Sequence, residues 1–490
     1  MSNRVPRIVI AATHSGAGKT SVALALVQAL ARRGLRVQTF KVGPDFLDPT
    51  YLSIASGRPC YNLDGWMADR AYVIQLFERV SCDADFVVIE GVMGLFDGAD
   101  PAASEGSTAE IARWLDAPVL LVVNAHGVSR SLAALVKGCC EFEPGVRIAG
   151  VVANHCGSGR HAAWLAETLK SASLPPLLGA VPRGAFPALP TRHLGLVTAN
   201  GKNLSPAILN ALADVLEKHA KIEEIARLSM GATGLGQYPD RCGNTLTKGT
   251  GLKQPRPVAP KHRVRLGIAY DDAFHFYYQD NLDALEAAGC KLIRFSPIND
   301  QALPAGLQGL YFGGGYPEEH AEALSANRPM LDAVRNFAAG GRPVYAECGG
   351  LMYLAEGLET REGKRFPLAG RLPVWTRMLP TRKALGYVEA ALTADSLWGA
   401  RGASVRGHEF HYSELIGDPT GSGQCQSVYT VKRRRSTEAV REGFQRGRTL
   451  ASYVHAYFAC RPEAVQSWVD NCEAAKEKAK GKRKKEKSQA

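Results

Sequence analysis

"AATHSGAGKT", residues 11–20, decides the fold. It follows the apolar run Ile8–Ile10 and precedes Lys19–Arg33, where Val22, Leu26 and Leu30 recur at helical spacing. A strand, a glycine-rich turn and a helix in that order are the setting of a phosphate-binding loop. Gly16 and Gly18 let backbone N–H groups face an anion, and the helix N-terminus adds roughly half a positive charge. Lys19 is placed to reach the β- and γ-phosphates, and Thr20 to ligate Mg²⁺. The strict motif asks for a glycine where this chain has Thr13. Read alone, the stretch is either a relaxed nucleotide cradle or a tight glycine turn.

Neighbouring stretches favour the cradle. "DFVVIEG" (85–91) is an apolar strand ending on Glu90. An acid at the carboxyl end of a strand is where a phosphate-loop fold holds its second metal contact. "KVGPDFLDP" (41–49) offers Lys41, Asp45 and Asp48, and "VMGLFDG" (92–98) adds Asp97. Each has a bland reading as turn chemistry. Acids and lysines gathered at strand ends of one sheet also suit phosphoryl transfer, which needs charge to hold metal and neutralise phosphate. "PVLLVVNA" and "RIAGVVANH" are further buried strands, and Asn154 at the end of the second is counted with the nucleotide-binding residues. Continuous Val/Ile runs separated by helices predict a parallel sheet covered on both faces.

The 490 residues carry 46% hydrophobic side chains, enough for more than one core. No apolar run is long enough to span a membrane, and the N-terminal apolar run is too short for a signal peptide. Eleven cysteines, odd in number and without a CxxC pair, suggest a reducing cytoplasm rather than a disulfide framework. The net charge of +12 is concentrated in two places: Arg241–Arg265, with seven basic residues and no acid, and Lys476–Ala490, with eight basic and two acidic. The rest is near neutral, so composition supplies no nucleic-acid-binding face. Pattern breaks divide the chain into an ATP domain at 1–235, a Gly/Pro/Lys-rich linker at 236–263, a second alternating domain at 264–465 and a disordered basic tail at 466–490.

The second domain has its own reactive stretch. "PVYAECGGLMYL" (343–354) reads as strand, sharp turn and helix with Cys348 at the turn, the geometry of a nucleophile elbow. Gly349 and Gly350 permit the turn, and "YFGGGYPE" (311–318) places Gly314 and Gly315 to meet an oxyanion together with Gly349. "SYVHAYF" (452–458) presents His455 as the base the thiol needs. "GHEFHYS" (407–413) spaces His408 and His411 three apart, not the four of a zinc helix, and reads as a structural or substrate-facing loop.

These stretches, with "NLDGWM", "RHLGL", "DDAFHFYYQDNL" and "FSPINDQALP", lie in order along about 460 residues. Over that length the chain resembles the cobyrinic acid a,c-diamide synthase family, the glutamine-dependent amidotransferases of corrinoid biosynthesis. The resemblance implies an α/β architecture. A dethiobiotin-synthetase-like P-loop domain with a parallel sheet is joined to a class I glutamine amidotransferase domain of flavodoxin-like fold. In that family the P-loop is also relaxed, which accounts for Thr13. The implied chemistry is ATP-driven phosphorylation of a tetrapyrrole's acetate arms and their conversion to amides by ammonia from glutamine. Cys348 and His455 would release ammonia, and a sheltered path would carry it to the acyl phosphate. Thr20, Asp45 and Glu90 would hold Mg²⁺, Lys19 and Lys41 would stabilise the moving phosphate, and Asp48 and Asp97 would position substrate or ammonia. Many class I amidotransferases have a glutamate two residues after the histidine; here that position is Tyr457, so a Cys–His dyad is expected. Linker and tail depart from the family core, which keeps sirohaem and (nickel-)sirohydrochlorin beside cobyrinic acid as substrates. A homodimer is compatible with the sequence; nucleic-acid and membrane partners are not expected. Two other classes remain open: a partitioning-type switch ATPase, which leaves Cys348 and His455 unexplained, and a non-catalytic tetrapyrrole scaffold.

Overall fold

A computed structural model describes residues 5–189, 191–192, 195–196, 204–230, 263–434, 436 and 438–489. The chain divides into two compact units, Met1–Gly251 and Leu252–Ala490. The expected linker, apart from Arg263, lies outside the described residues.

The first unit is built on seven strands: β1 (Arg7–Ala12), β2 (Val37–Val42), β3 (Tyr61–Leu63), β4 (Phe86–Glu90), β5 (Val119–Asn124), β6 (Ile148–Cys156) and β7 (Leu177–Pro182). They form one parallel sheet in the order β3-β2-β4-β1-β5-β6-β7. Every residue of β4 is buried, as the Val/Ile run predicts for a strand covered on both faces. The helix Lys19–Arg32 matches the expected one, with Val22, Leu26 and Leu30 fully buried. Burying each such side chain stabilises the fold by about 1.5–3 kcal/mol. It packs against helix Pro206–His219, and at the rim Arg32 pairs with Asp214 at 2.6 Å. The chain leaves β1 toward β2 on one side, while β5 lies on the other. The loop after β1 therefore sits where strand order reverses, the usual ligand crevice of such sheets.

The second unit holds a ten-stranded mixed sheet. Five strands are parallel: Cys290–Phe295, Val264–Ala269, Gly309–Phe312, Val344–Glu347 and Thr449–Ser452. An antiparallel extension follows through Ala439–Arg446, Gln426–Arg433, Ala384–Leu392, Ser404–His411 and His455–Ala456. Its aromatic core gathers Tyr311, Tyr345, Trp398, Phe458 and Trp468, with Trp468 ring centroids 5.2 Å from Tyr311 and 5.3 Å from Tyr345.

Trp468 corrects the expected disordered tail. Residues Pro462–Gln489 form one helix, and Trp468, Val469 and Cys472 on it are buried. The basic run at the end masks a short apolar stripe at its start, and that stripe finishes the core. A second correction concerns "GHEFHYS". It is not a loop: His408 and His411 lie on strand Ser404–His411, and both are buried.

Candidate active site

Strand register assembles the site of the first unit. Ile10 pairs with Glu90, and Glu90 with Lys41, so the glycine loop, a buried acid and a buried cation meet at adjacent carboxyl ends. The loop turns at Gly16 (φ 83°) and Gly18 (φ 101°). A Cβ on Gly18 would strike the side-chain amide of Asn154, which donates from Nδ2 to the Ala17 carbonyl at 3.0 Å. Left-handed backbone and this close approach together require glycine there. Lys19 Nζ donates to the Met93 carbonyl, and burial, then the nearby Lys41, lower its pKa. Thr20 Oγ1 donates to Glu90 Oε1 at 2.6 Å.

Lys41 is the hub. It is 3% exposed, with Nζ 2.6 Å from Asp48 Oδ2 and 3.3 Å from Glu90 Oε1, and it donates to the Gly91 carbonyl at 2.9 Å. Burial alone would favour the neutral amine; Asp48, Glu90 and Asp45 outweigh it and raise the pKa well above the ordinary lysine value. Burial, then the charge of Asp48, push Glu90 up to about 7 and Asp45 up to about 6. Glu90 Oε2 is buried with no hydrogen-bond partner among the described residues. An orphaned carboxylate oxygen beside a threonine hydroxyl at a helix N-terminus fits Mg²⁺, which takes one or two carboxylates with phosphate oxygens and water. Among the described residues no three His, Cys, Asp or Glu form a metal cage.

Two acids assigned to chemistry also shape loops. Asp45 Oδ1 accepts from the N–H groups of Leu47 (2.6 Å) and Asp48 (3.2 Å). Asp97 Oδ2 accepts from Gly94 N–H at 2.8 Å. Asp48 is the acid that the structure brings onto Lys41.

In the second unit, strand Val344–Glu347 ends at Cys348, whose backbone is at φ 47°, ψ −99°, and helix Gly349–Leu354 begins immediately after. A non-glycine residue in this region is strained and persists only where its surroundings hold it. Cys348 N–H donates to the Ser452 carbonyl at 2.7 Å, and Gly350 N–H to the Gly313 carbonyl at 3.1 Å. The thiol is buried and its Sγ lies 3.9 Å from the Phe410 carbonyl. Burial, then Glu318, raise its pKa, while the Gly349 N–H opposes them. A thiol so placed needs a base and N–H donors before it can act. A Cβ built on Gly349 would lie 3.1 Å from Gly315 N, so two of the proposed oxyanion residues sit side by side. A Cβ on Gly314 would strike the His455 ring at Cε1.

His455 is buried beneath His408, ring centroids 5.0 Å apart and 19° from parallel. Burial, then His408 and His411, lower its pKa well below the ordinary value, which keeps the imidazole neutral and makes it a weaker base. Its Nδ1 lies 3.9 Å from Glu347 Oε2.

The comparisons with known proteins agree over both units. Residues 8–197 match the CobQ/CobB/MinD/ParA nucleotide binding domain, and residues 265–463 the CobB/CobQ-like glutamine amidotransferase domain. A cobyrinate a,c-diamide synthase of Syntrophotalea carbinolica is 57% identical over 95% of this chain and 98% of its own. The chain belongs to the cobyrinate a,c-diamide synthase family. Proteins of that name from Leptospira interrogans (41% identical over 96% of this chain and 99% of their own) and Salmonella typhimurium (40%, 96% and 98%) are similar over the same span.

Membership in the cobyrinate a,c-diamide synthase family accounts for both sites in one chain, which a switch ATPase does not. Sequence reasoning missed residues that hold these sites in place. Asn62 Nδ2 donates to the carbonyls of Gly43 and Asp45, both at 2.8 Å, and so holds the Lys41–Asp48 loop. Asn281 Nδ2 donates to the Ala456 carbonyl at 2.8 Å, while its Oδ1 accepts from Phe458 and Ala459 N–H, fixing the segment after His455. Both asparagines fall inside stretches that carry the family resemblance, "NLDGWM" and "DDAFHFYYQDNL". Their roles are set by long-range carbonyls, which spacing does not reveal.

Proposed function

We propose that this protein converts the a and c acetate side chains of cobyrinate to acetamides, using two ATP and two glutamines. The observation that carries the reading is end-to-end similarity to a cobyrinate a,c-diamide synthase at 57% identity. That level of identity across both units also outweighs the departures of linker and tail that kept sirohaem and sirohydrochlorin in view.

In the second unit, Cys348 Sγ attacks the glutamine carboxamide carbon while His455 takes the thiol proton. The N–H groups of Gly315 and Gly349 face the developing oxyanion. The proton passes to the leaving ammonia, and water then releases glutamate from the thioester. In the first unit the acetate is a poor electrophile until phosphorylated. The loop of Gly16 and Gly18 cradles ATP, with Asn154 over its rim, and Lys19 and Lys41 balance charge on the transferred phosphate. Thr20 and Glu90 would hold Mg²⁺, which supplies charge neutralisation at the phosphates when bound; Asp45 adds negative charge near Glu90. Asp48 fixes Lys41, and Asp97 shapes the adjoining loop. The ten described cysteines are all free, which supports work in a reducing cytoplasm.

Mass spectrometry of cobyrinate incubated with ATP, Mg²⁺ and glutamine tests this. The product should be about 2 Da lighter, since each OH-to-NH₂ exchange loses about 1 Da, with two phosphates and two glutamates released. A single exchange at completion, or exchange on sirohydrochlorin in preference to cobyrinate, would overturn the assignment.

A further inference from the structure

We infer that Glu347, the residue immediately before the nucleophile, is the positioning carboxylate of His455, in place of the glutamate that other class I amidotransferases carry where this chain has Tyr457. The inference rests on the reading of Cys348 and His455 as the glutamine-cleaving pair.

Tyr457 is committed elsewhere: its hydroxyl donates to Asp280 Oδ2 at 3.0 Å. Glu347, by contrast, faces the imidazole, with Oε2 3.9 Å from Nδ1 and both side chains at most 2% exposed. The strand ladder dictates this. Glu347 pairs with Ser452, three residues before His455, and Ala456 N–H donates to Glu347 Oε1 at 3.2 Å. One carboxylate therefore grips the backbone just after the histidine and also faces its ring.

The remaining partners of Glu347 are donors. Tyr345 OH reaches Oε1 at 2.9 Å, and Tyr311 OH reaches Oε2 at 3.1 Å. Donors aimed at a carboxyl group favour its ionised, accepting form. Burial opposes them and pushes the group up to about 8; a forming imidazolium at Nδ1 tips that balance back toward the carboxylate. His455 needs such help, because burial and its neighbours His408 and His411 all disfavour its protonation. His408 is itself fixed by the Tyr278 hydroxyl at 2.8 Å from its Nδ1. With Nδ1–H directed at Glu347, the lone pair lies on Nε2, the tautomer a base needs. The Sγ–H proton goes to Nε2 as the S–C bond forms; the Nδ1 proton stays where it is. Contacts of this kind are often long before substrate binds and tighten in the complex.

The test is E347Q in the full-length enzyme. Glutamine-dependent kcat should fall about 100-fold, the scale of general-base assistance. KM for glutamine and ammonium-driven amidation should stay within about 2-fold of wild type. The limb of the pH profile set by His455 should move to lower pH, because an imidazole without its carboxylate is a weaker base. A folded E347Q with wild-type kcat and a superimposable profile would overturn the inference. Should E347Q fail to fold, Y311F carries the same test: it removes a donor from the oxygen facing His455, and an unmoved His455 limb would overturn the inference equally. C348S separates this from the underlying reading. Retained glutamine use in C348S sinks the cysteine–histidine assignment itself; a dead C348S beside an unaffected E347Q sinks only the role of Glu347.

Discussion

Lys41→Met removes one cation from a buried knot of acids, and the outcome can be worked through from the distances. In the wild type the ammonium lies 2.6 Å from Asp48 and 3.3 Å from Glu90, at 3% exposure. Methionine fills similar volume, so the cost is electrostatic. Removing one partner of a buried ion pair costs about 3–5 kcal/mol, because the other charge stays buried and unpaired. In a unit of this size about 2–4 °C of melting temperature is lost per kcal/mol, so the first unit should melt about 6–20 °C lower. The sign with pH follows from linkage. Glu90 and Asp45 are already raised, to about 7 and about 6, with Lys41 among the effects holding them down. Without Lys41 they rise further, and carboxyl groups raised in the folded state stabilise it less as pH climbs through those values. The deficit relative to wild type should therefore be largest at pH 8 and shrink toward pH 5, as the acids become protonated. The double variant K41M/D48N should recover part of the loss, since it removes a stranded charge. Calorimetric melts of the wild type, K41M, D48N and K41M/D48N at the two pH values decide the matter. A deficit under about 2 °C, or one independent of pH, would refute the electrostatic account.

Other predictions address the two sites and the core. Glu90→Gln should raise the Mg²⁺ concentration for half-maximal ATP turnover about 10-fold or more; in the wild type that concentration should fall as pH rises through about 7, where Glu90 ionises, and magnesium titrations at several pH values read both. Gly314→Ala puts a methyl group against the His455 ring and should cut glutamine-dependent turnover at least about 10-fold while sparing turnover with ammonium, because small misplacements of reacting groups are costly; equal loss with both nitrogen sources would point to misfolding instead. Trp468→Ala should destabilise the second unit by about 3–5 kcal/mol, seen as a lower denaturant midpoint, whereas truncation after Ala475 should leave it nearly unchanged.

Much of this protein could be read from local pattern. The strands around Ile10, Glu90 and Asn154, the helix after Lys19 and the turn at Cys348 each depend on residues close in sequence: an apolar run, a glycine pair, a helical stripe. A phosphate loop and a nucleophile elbow are such local devices, so Lys19, Thr20 and Cys348 stand out in the sequence itself. Other features depended on distance. The desolvation that pushes Glu90 up and the cage that holds Lys41 charged come from β1, β2 and β4 lying side by side, although Lys41 and Glu90 are far apart in the chain. Trp468 looked like the start of a charged tail because its partners Tyr311, Tyr345 and Trp398 lie more than sixty positions away. Glu347 was visible in "AECGG" only as a neighbour of the cysteine; strand register turned its carboxylate toward His455. Sequence determines which groups are present and how they begin locally. Which charge faces which, and how much water is left between them, is decided when the strands pair, because burial and proximity are properties of the packed sheet.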